Sequence, residues 1–186
     1  MHPLKYVWAL RALIYKPFFN TIGNMSYIGK PCFLAGTKLI SIGEKDRIFP
    51  GIRMEAIEGG RIIIGNNVAI EQNVHIISHS TFLKIGNDTT ISANVFISNV
   101  NHKYDDIRKS VMDQGIQKQE TIIGDSCFIG YGAVILPGTV LGNHCIIGAN
   151  AVVKGKYPSN SVVVGAPGRV VKQYNDKQKE WRKTSV

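Results

Sequence analysis

The amino-acid sequence predicts an all-β fold, a parallel β-helix with the cross-section of a triangular prism, and three observations support this prediction. An aliphatic residue recurs at every sixth position, a glycine often follows it directly, and a small or β-branched residue comes four positions after it. A six-residue unit holds one short strand and one tight turn, so three units complete a coil of about eighteen residues. A fixed repeat of this kind is typical of a solenoid.

The aliphatic repeat is the strongest of the three observations. It is most regular in the second half of the chain, at Ile123, Ile129, Ile135, Leu141, Ile147 and Val153. The same register occurs upstream at Ile64, Ile70 and Ile76, again at Ile85, Ile91 and Ile97, and it has earlier starts at Ile28 and Ile42. We expect these side chains to point inward and to stack on the next coil at about 4.8 Å, the spacing of paired strands.

The glycine after the aliphatic residue separates the β-helix from a simpler alternative. Gly124, Gly130, Gly142 and Gly148 follow four of the aliphatic positions. We expect each of them to occupy a turn where glycine is free to adopt a positive φ. Ordinary half-buried strands, with a period of two, would also place an aliphatic residue at every sixth position. They would not explain the glycine, and the sequence therefore favours the β-helix.

Interruptions of the repeat indicate where function is located. The coil starts Ile42, Ile64 and Ile85 are 22 and 21 residues apart, which implies small insertions. A larger break follows Ile97, and about residues 101–120 are predicted to form an extruded loop with His102 at its base. Long insertions in a rigid repeat are usually functional loops, although a tolerated surface loop is the alternative.

The limits of the repeat divide the chain into three regions. These are an N-terminal amphipathic segment at 1–25, the β-helix domain at 26–168 and a C-terminal tail at 169–186. Apolar residues at helical spacing predict a helix near the N-terminus, which we interpret as a cap on the coil stack, as a subunit contact, or as a basic helix on a membrane surface. The polar tail is expected to form a short helix or a frayed end.

Composition restricts the class of protein and its partners. The formal net charge of +9 and the isoelectric point of about 9.5 favour anionic partners such as nucleotides, phosphates, membrane surfaces or nucleic acid. Cys32, Cys127 and Cys145 form no CxxC pair, and an odd count without a secretory leader indicates a reducing compartment. Cys127 and Cys145 are one coil apart at the small position of the repeat, so we expect packing residues rather than nucleophiles.

Three stretches of the sequence carry a resemblance to a known family. They are N-H-x-Y-D at the start of the loop, IIGDSCFIGYGAVILPGTVLGNHCIIGANAVV after it, and the exit VVVGAPGRVVK. Over roughly residues 60–172 the chain resembles the hexapeptide-repeat acetyltransferases, above all the galactoside, maltose and xenobiotic branch and the acetyltransferases of surface-polysaccharide assembly. The resemblance implies left-handed coiling, acetyl-CoA as the donor, no metal, no nucleic-acid partner and a homotrimer. The reducing compartment indicated by the cysteines predicts a cytoplasmic location, and the basic N-terminal helix predicts peripheral contact at the inner face of the membrane.

The resemblance also assigns roles to residues. His102 occupies the position of the catalytic base, which takes the proton from the acceptor. Backbone groups of Tyr131 and Ala149 are implied to hold the pantetheine arm or the thioester oxygen, and Phe128 to pack beside them. The remaining assignments are Asn73, His79 and Glu71 for the acceptor and Lys154, Lys156, Arg169 and Lys172 for the phosphorylated end of the coenzyme.

The sequence departs from the family at two of these places. His79 stands near the position of an acidic acceptor ligand, so a different acceptor or a different contact is expected there. A Lys154-Gly155 pair replaces the usual Thr-Lys pair, which shifts the charge by one residue.

Several functions are compatible with these residues. The first is transfer of an acetyl group from acetyl-CoA to a sugar hydroxyl in the biosynthesis of a surface polysaccharide, such as an O-antigen, a capsule or an exopolysaccharide. The second is N-acetylation of a nucleotide-linked amino sugar. A zinc carbonic anhydrase on the same prism would need three converging histidines, and the spacing of His75, His79 and His102 does not match that family. An ice-binding β-helix would need regular rows of threonine, which the sequence lacks.

Overall fold

The computed structural model describes residues 3–184. Their strands stack into three sheets, here called A, B and C, which contain seven, nine and six strands and are parallel except for the last two strands of sheet B. Successive strands pass from sheet A to B to C and back to A, so the chain winds around three faces. This arrangement confirms the predicted parallel β-helix. A further two-stranded antiparallel hairpin projects from it.

The helices and strands are as follows. The α-helix α1 spans Leu4–Tyr15, and short 3-10 helices span Lys16–Phe18, Thr37–Leu39 and Val111–Asp113. The first four coils contain β1 (Thr21–Ile22), β2 (Tyr27–Ile28), β3 (Phe33–Ala35), β4 (Ile40–Ile42), β5 (Arg47–Ile48), β6 (Arg53–Ile57), β7 (Arg61–Ile64), β8 (Ala69–Ile70), β9 (His75–His79), β10 (Phe82–Ile85), β11 (Thr90–Ile91) and β12 (Phe96–Ser98). The hairpin contains β13 (Val100–His102) and β14 (Ile116–Lys118). The later coils and the C-terminus contain β15 (Thr121–Ile123), β16 (Phe128–Ile129), β17 (Val134–Ile135), β18 (Val140–Leu141), β19 (Ile146–Ile147), β20 (Val152–Val153), β21 (Lys156–Tyr157), β22 (Ser161–Val164), β23 (Arg169–Asn175) and β24 (Glu180–Lys183).

The aliphatic repeat forms the core, as predicted. All fourteen aliphatic positions named above are buried, and they stack in register, as Ile64, Ile85 and Ile123 do in sheet A. Each such side chain contributes roughly 1.5–3 kcal/mol by its removal from water. Residues in the β-strands between them point outward, because side chains alternate along a strand.

The predicted reason for the glycines is wrong. Positive φ occurs two residues later in each corner, at Ser126, Gly132, His144 and Asn150. The glycines are required because the next coil approaches them closely. A Cβ atom on Gly124, for example, would lie 2.7 Å from the carbonyl carbon of Gly142. Glycine therefore recurs at these positions because the backbones of neighbouring coils come close together there, and not because the turn needs a residue with positive φ.

The N-terminal helix covers one end of the coil stack. Trp8 packs against Tyr27 and Phe49 at ring-centroid distances of 5.9 and 5.5 Å, and Arg11 donates a hydrogen bond to the carbonyl oxygen of Ile28. The first strand, β1, begins at Thr21, within the segment 1–25 that the sequence analysis separated from the β-helix. The cap is thus continuous with the first coil.

The prediction of a short helix or frayed end for the C-terminal tail is wrong over the described residues. Strand β23 pairs antiparallel with β22, and β24 pairs with β23. Tyr174 and Trp181 pack edge to face across this hairpin, with ring centroids 5.6 Å apart. The last coil would otherwise leave an unpaired strand edge, which the hairpin covers.

The insertions that lengthen the coils all lie at one corner of the prism, between sheets C and A. The strands β6 and β9 in sheet C have five residues each, whereas β17 and β20 have two. The large loop leaves the prism at the same corner. Its stem is the β13–β14 hairpin, in which His102 lies opposite Ile116. The predicted extrusion is therefore confirmed, and it is anchored by a stem that the sequence did not predict.

Candidate active site

A cleft of about 280 Å³ lies between the outer face of sheet C and the base of the hairpin. His75 and Ile77 of β9 and Phe96 and Ser98 of β12 form one side of the cleft. Residues 100–102 of the hairpin form another, and Leu136 and Pro137 close it. Most of these groups are apolar, so the few polar groups are conspicuous. Two of them are imidazoles, on His75 and His102.

His102 is placed at the end of β13, where the hairpin leaves the prism. Its backbone N–H donates a hydrogen bond to Asn101 Oδ1 at 3.0 Å, and its side chain is exposed. An exposed imidazole at the rim of an apolar cleft is accessible to a substrate that enters the cleft. This geometry suits a general base, which must come within hydrogen-bonding distance of the proton that it removes.

A buried polar network fixes the root of the hairpin. Asn99 is fully buried, its Nδ2 donates to Ser78 Oγ at 2.9 Å, and its Oδ1 accepts a hydrogen bond from the backbone N–H of His79 at 2.7 Å. On the other side, the Thr121 hydroxyl donates to the carbonyl oxygen of Ser98 at 2.8 Å. Because buried polar groups are costly to leave unpaired, this network holds the chain in one path three residues before His102.

The sequence analysis missed a second cluster in this region. Glu55 of β6 has a side chain that is only 11% exposed, and its Oε1 contacts Arg53 Nε at 2.7 Å and His75 Nε2 at 3.0 Å. The hydrogen bond from Arg53, followed by that from His75, outweighs burial and lowers the pKa of the Glu55 carboxyl. Glu55 and His75 are one coil apart, and the only sequence signal was His75 itself.

The predicted acceptor residues do not line the cleft. Asn73 is a corner residue with a φ of 59°, and Glu71 Oε2 accepts a hydrogen bond from the backbone N–H of Ala93 at the same corner. His79 ends β9, next to the root of the hairpin, and its Nδ1 lies 2.6 Å from Ser80 Oγ. Their roles in binding the acceptor stay predictions.

The predicted coenzyme residues near the thioester lie elsewhere on the prism. Tyr131 and Ala149 are exposed corner residues between sheets B and C, and the Tyr131 hydroxyl accepts a hydrogen bond from Asn94 Nδ2 at 2.6 Å. Phe128 lies on the outer face of sheet B, opposite Ile146 in the next coil. One copy of the chain therefore does not bring these residues into the cleft that contains His102.

The four basic residues predicted for the coenzyme share one end of the prism but not one face. Lys154 lies at the corner between sheets C and A, where it lines a small recess beside the cleft together with Asn101 and Pro137. Lys156 belongs to sheet A, whereas Arg169 and Lys172 lie on β23, next to the edge strand of sheet B. Their shared role also stays a prediction.

None of the three cysteines lines the cleft. Cys127 and Cys145 are buried, and the contact between their thiols raises the pKa of Cys127, together with burial, and lowers the pKa of Cys145. The raised pKa keeps the Cys127 thiol protonated and unreactive. Within residues 3–184, no three His, Cys, Asp or Glu side chains come together as a metal site.

Comparisons with known proteins identify the family. Residues 120–155 match the family model of the bacterial transferase hexapeptide, which comprises six repeats. A protein of Escherichia coli K12 that is named as the lipopolysaccharide biosynthesis O-acetyl transferase WbbJ is 34% identical over 86% of this chain and 85% of its own length. The galactoside O-acetyltransferase of the same organism is 30% identical over 92% of this chain and 72% of its own length. The chain therefore belongs to the hexapeptide-repeat acetyltransferases.

Solved structures show the same fold. A galactoside acetyltransferase in complex with coenzyme A superposes with a TM-score of 0.66 at 23% identity, covering 100% of this chain and 82% of that chain. AntD, an N-acyltransferase from Bacillus cereus, superposes with a TM-score of 0.75 at 20% identity and covers 89% of this chain and 90% of its own. At these identities the likeness concerns the fold alone.

Proposed function

We propose that this acetyltransferase moves an acetyl group from acetyl-CoA to a hydroxyl group of a sugar during assembly of a surface polysaccharide. The observation that carries the proposal is the position of His102, at the rim of an apolar cleft in a chain that is 34% identical to a protein named for O-acetyl transfer in lipopolysaccharide biosynthesis. The galactoside O-acetyltransferase adds a second relative that is named for a sugar acceptor.

In the proposed reaction, a neutral His102 takes the proton from the acceptor hydroxyl while that oxygen attacks the carbonyl carbon of the thioester. The carbonyl oxygen then carries a negative charge, which nearby N–H donors stabilise. We assign this role to the backbone at Tyr131. The C–S bond then breaks, and the thiolate takes the proton from His102. The products are an acetyl ester and free coenzyme A, and the base returns to its neutral form.

The active form is proposed to be a homotrimer whose sites lie between copies. The support is geometric, because Phe128 lies on sheet B while the cleft of His102 lies on sheet C. The hairpin loop also exposes Tyr104, Ile107 and Met112 by 70%, 96% and 74%, which is unusual for apolar side chains without a partner.

Complementation tests this arrangement. Neither His102→Ala nor Phe128→Ala should support full turnover alone, whereas co-expressed chains should regain activity in sites that combine both intact residues. Light scattering should give the mass of three chains. A monomer with full activity, or co-expressed chains no more active than the two variants measured separately, would contradict a shared site.

An acceptor screen tests the reaction itself. The chain is incubated with acetyl-CoA and either neutral sugars or nucleotide-linked amino sugars, and the release of free thiol is measured. We expect thiol release with a hydroxyl acceptor, together with an alkali-labile acetyl ester. Formation of an alkali-stable amide with an amino sugar would instead support N-acetylation.

We also propose that α1 places the enzyme on an anionic membrane surface, where a lipid-linked acceptor would be available. The outward face of α1 is apolar throughout, since Tyr6, Val7, Leu10, Leu13 and Ile14 are each more than half exposed. Lys16, directly after α1, is exposed, and the first acidic residue of the chain is Glu44. An apolar face beside positive charge favours the interface of an anionic bilayer. No helix of residues 3–184 is long and apolar enough to cross a bilayer.

Flotation with lipid vesicles tests the membrane proposal. The chain should float with vesicles that contain phosphatidylglycerol but not with pure phosphatidylcholine, and Leu10→Glu together with Leu13→Glu should abolish flotation while the fold persists. Gln178→Glu, in the exposed turn between β23 and β24, is the control. If the chain does not float with anionic vesicles, or if the helix variants change only its oligomeric state, the apolar face of α1 contacts another copy of the chain instead.

A further inference from the structure

The Glu55–His75 pair lies beside the same cleft as His102, and the proposed reaction gives it no role. His75 lines the cleft, whereas Glu55 lies beside it on the outer face of the neighbouring strand, in the preceding coil. In many sites, a carboxylate that accepts a hydrogen bond from one ring nitrogen fixes the orientation of a histidine. The inference below rests on the proposed function, because it concerns the acceptor that His102 would deprotonate.

Arg53 favours the ionised form of the Glu55 carboxyl. Its Nε lies 2.7 Å from Glu55 Oε1, and this hydrogen bond is the largest cause of the lowered pKa of that carboxyl. An ionised carboxylate can only accept hydrogen bonds. The proton in the contact between Glu55 Oε1 and His75 Nε2 must therefore be on the imidazole nitrogen. In the neutral ring, Nδ1 is then the nitrogen that accepts a hydrogen bond.

The surrounding strands hold His75 in place. It pairs in register with Arg53 on one side and with Phe96 on the other, and the Phe96 ring packs against it edge to face at 5.1 Å. Arg53 is itself held over the Phe33 ring, with its guanidinium carbon 5.2 Å from the ring centroid. A side chain supported on a regular strand, with both neighbours packed, is positioned more rigidly than one on a loop.

The geometry points to His75 as an acceptor-binding residue with a defined preference. It accepts a hydrogen bond from a second hydroxyl of the sugar, near the hydroxyl that His102 deprotonates. The apolar walls of the cleft at Ile77, Phe96 and Leu136 suit the C–H faces of a pyranose ring. The acceptor is thus a sugar that presents two hydroxyls to one cleft, and Glu55 is the positioning residue that keeps Nδ1 available.

Paired changes in enzyme and substrate test this inference. Parent, His75→Gln and Glu55→Gln chains are assayed with methyl glycosides of glucose, galactose, mannose and rhamnose and with their monodeoxy analogues. For the parent, loss of the second hydroxyl should lower kcat/KM by about tenfold, the effect of one hydrogen bond. In His75→Gln the complete sugar and the analogue that lacks the second hydroxyl should have about equal kcat/KM. If His75 were merely structural, the substitution would lower kcat/KM for both sugars by the same factor.

A matched control and a binding measurement complete the experiment. His144→Asn changes an exposed corner histidine outside the cleft and should keep the discrimination of the parent. Sugar binding is also followed by saturation-transfer NMR, which needs no turnover. If no acetyl transfer occurs but His75→Gln abolishes sugar contact, the proposed reaction fails and the binding role stands. If transfer occurs and His75→Gln discriminates like the parent, the role of His75 is refuted.

Discussion

Asn99 determines where the hairpin that carries His102 leaves the prism, and replacing it tests how far the fold positions the base. In Asn99→Ala the backbone N–H of His79 loses its acceptor, whereas the Ser78 hydroxyl loses one partner and still donates to the carbonyl oxygen of Thr81. A buried polar group left unpaired costs about 1–3 kcal/mol. Since only the N–H of His79 is left without a partner, we expect a loss within that range in the free energy of unfolding.

The same substitution should lower kcat. His102 follows Asn99 by three residues, so a change in the path of the chain displaces the imidazole from the cleft. Urea denaturation gives the stability, and initial rates of thiol release at saturating acceptor give kcat. Gln117→Ala is a suitable control, because this exposed side chain lies on the neighbouring strand of the hairpin, outside the buried network.

A double-mutant cycle identifies the contact responsible. Ser78→Ala should destabilise the chain less than Asn99→Ala, and the double variant should cost less than the sum of both, because the two side chains share one hydrogen bond. The reasoning is refuted if Asn99→Ala unfolds at the urea concentration of the parent, or if it is destabilised as expected while kcat is unchanged.

Two further predictions concern buried groups away from the cleft. Burial raises the pKa of Asp46 to about 7. The protonated carboxyl therefore contributes to stability below about pH 4, and this contribution, on the order of 4 kcal/mol, is lost as the pH rises through 7. Asp46→Asn should therefore exceed the parent in urea resistance at pH 8 but not at pH 4, and an equal difference at both pH values would contradict this. Cys127→Ala should cost about 1–2 kcal/mol of stability and leave kcat unchanged, because a buried thiol with a raised pKa is not a nucleophile. Loss of kcat in a variant that still folds would show that the thiol takes part in the reaction.

The sequence was sufficient to predict the coil because its period is fixed by backbone geometry. Each inward isoleucine must stack on the one above it, so the six-residue spacing is visible wherever coils are uninterrupted. The glycines were also visible, but their cause was not. A clash with the carbonyl of the next coil depends on the distance between coils, which no local pattern reveals.

The cleft was only partly predictable. His102 was found because it follows a break in the repeat, whereas the Glu55–His75 contact joins residues whose alignment depends on the exact length of an inserted corner. Asn99 was missed for a similar reason, since its partner Ser78 lies one lengthened coil earlier. The C-terminal hairpin was missed because it forms to cover the edge of β22, a requirement of the finished stack rather than of the tail.

The most direct test of the account compares the parent with His102→Ala and His102→Gln in acetyl transfer to a hydroxyl acceptor. We expect kcat/KM to fall by about 10²–10⁴-fold in both variants, the contribution of a general base, while coenzyme A binding and the urea midpoint stay at the values of the parent. The control His144→Asn should retain full activity. If His102→Ala keeps the turnover of the parent, another group removes the proton, and the assignment of the cleft as the active site is wrong.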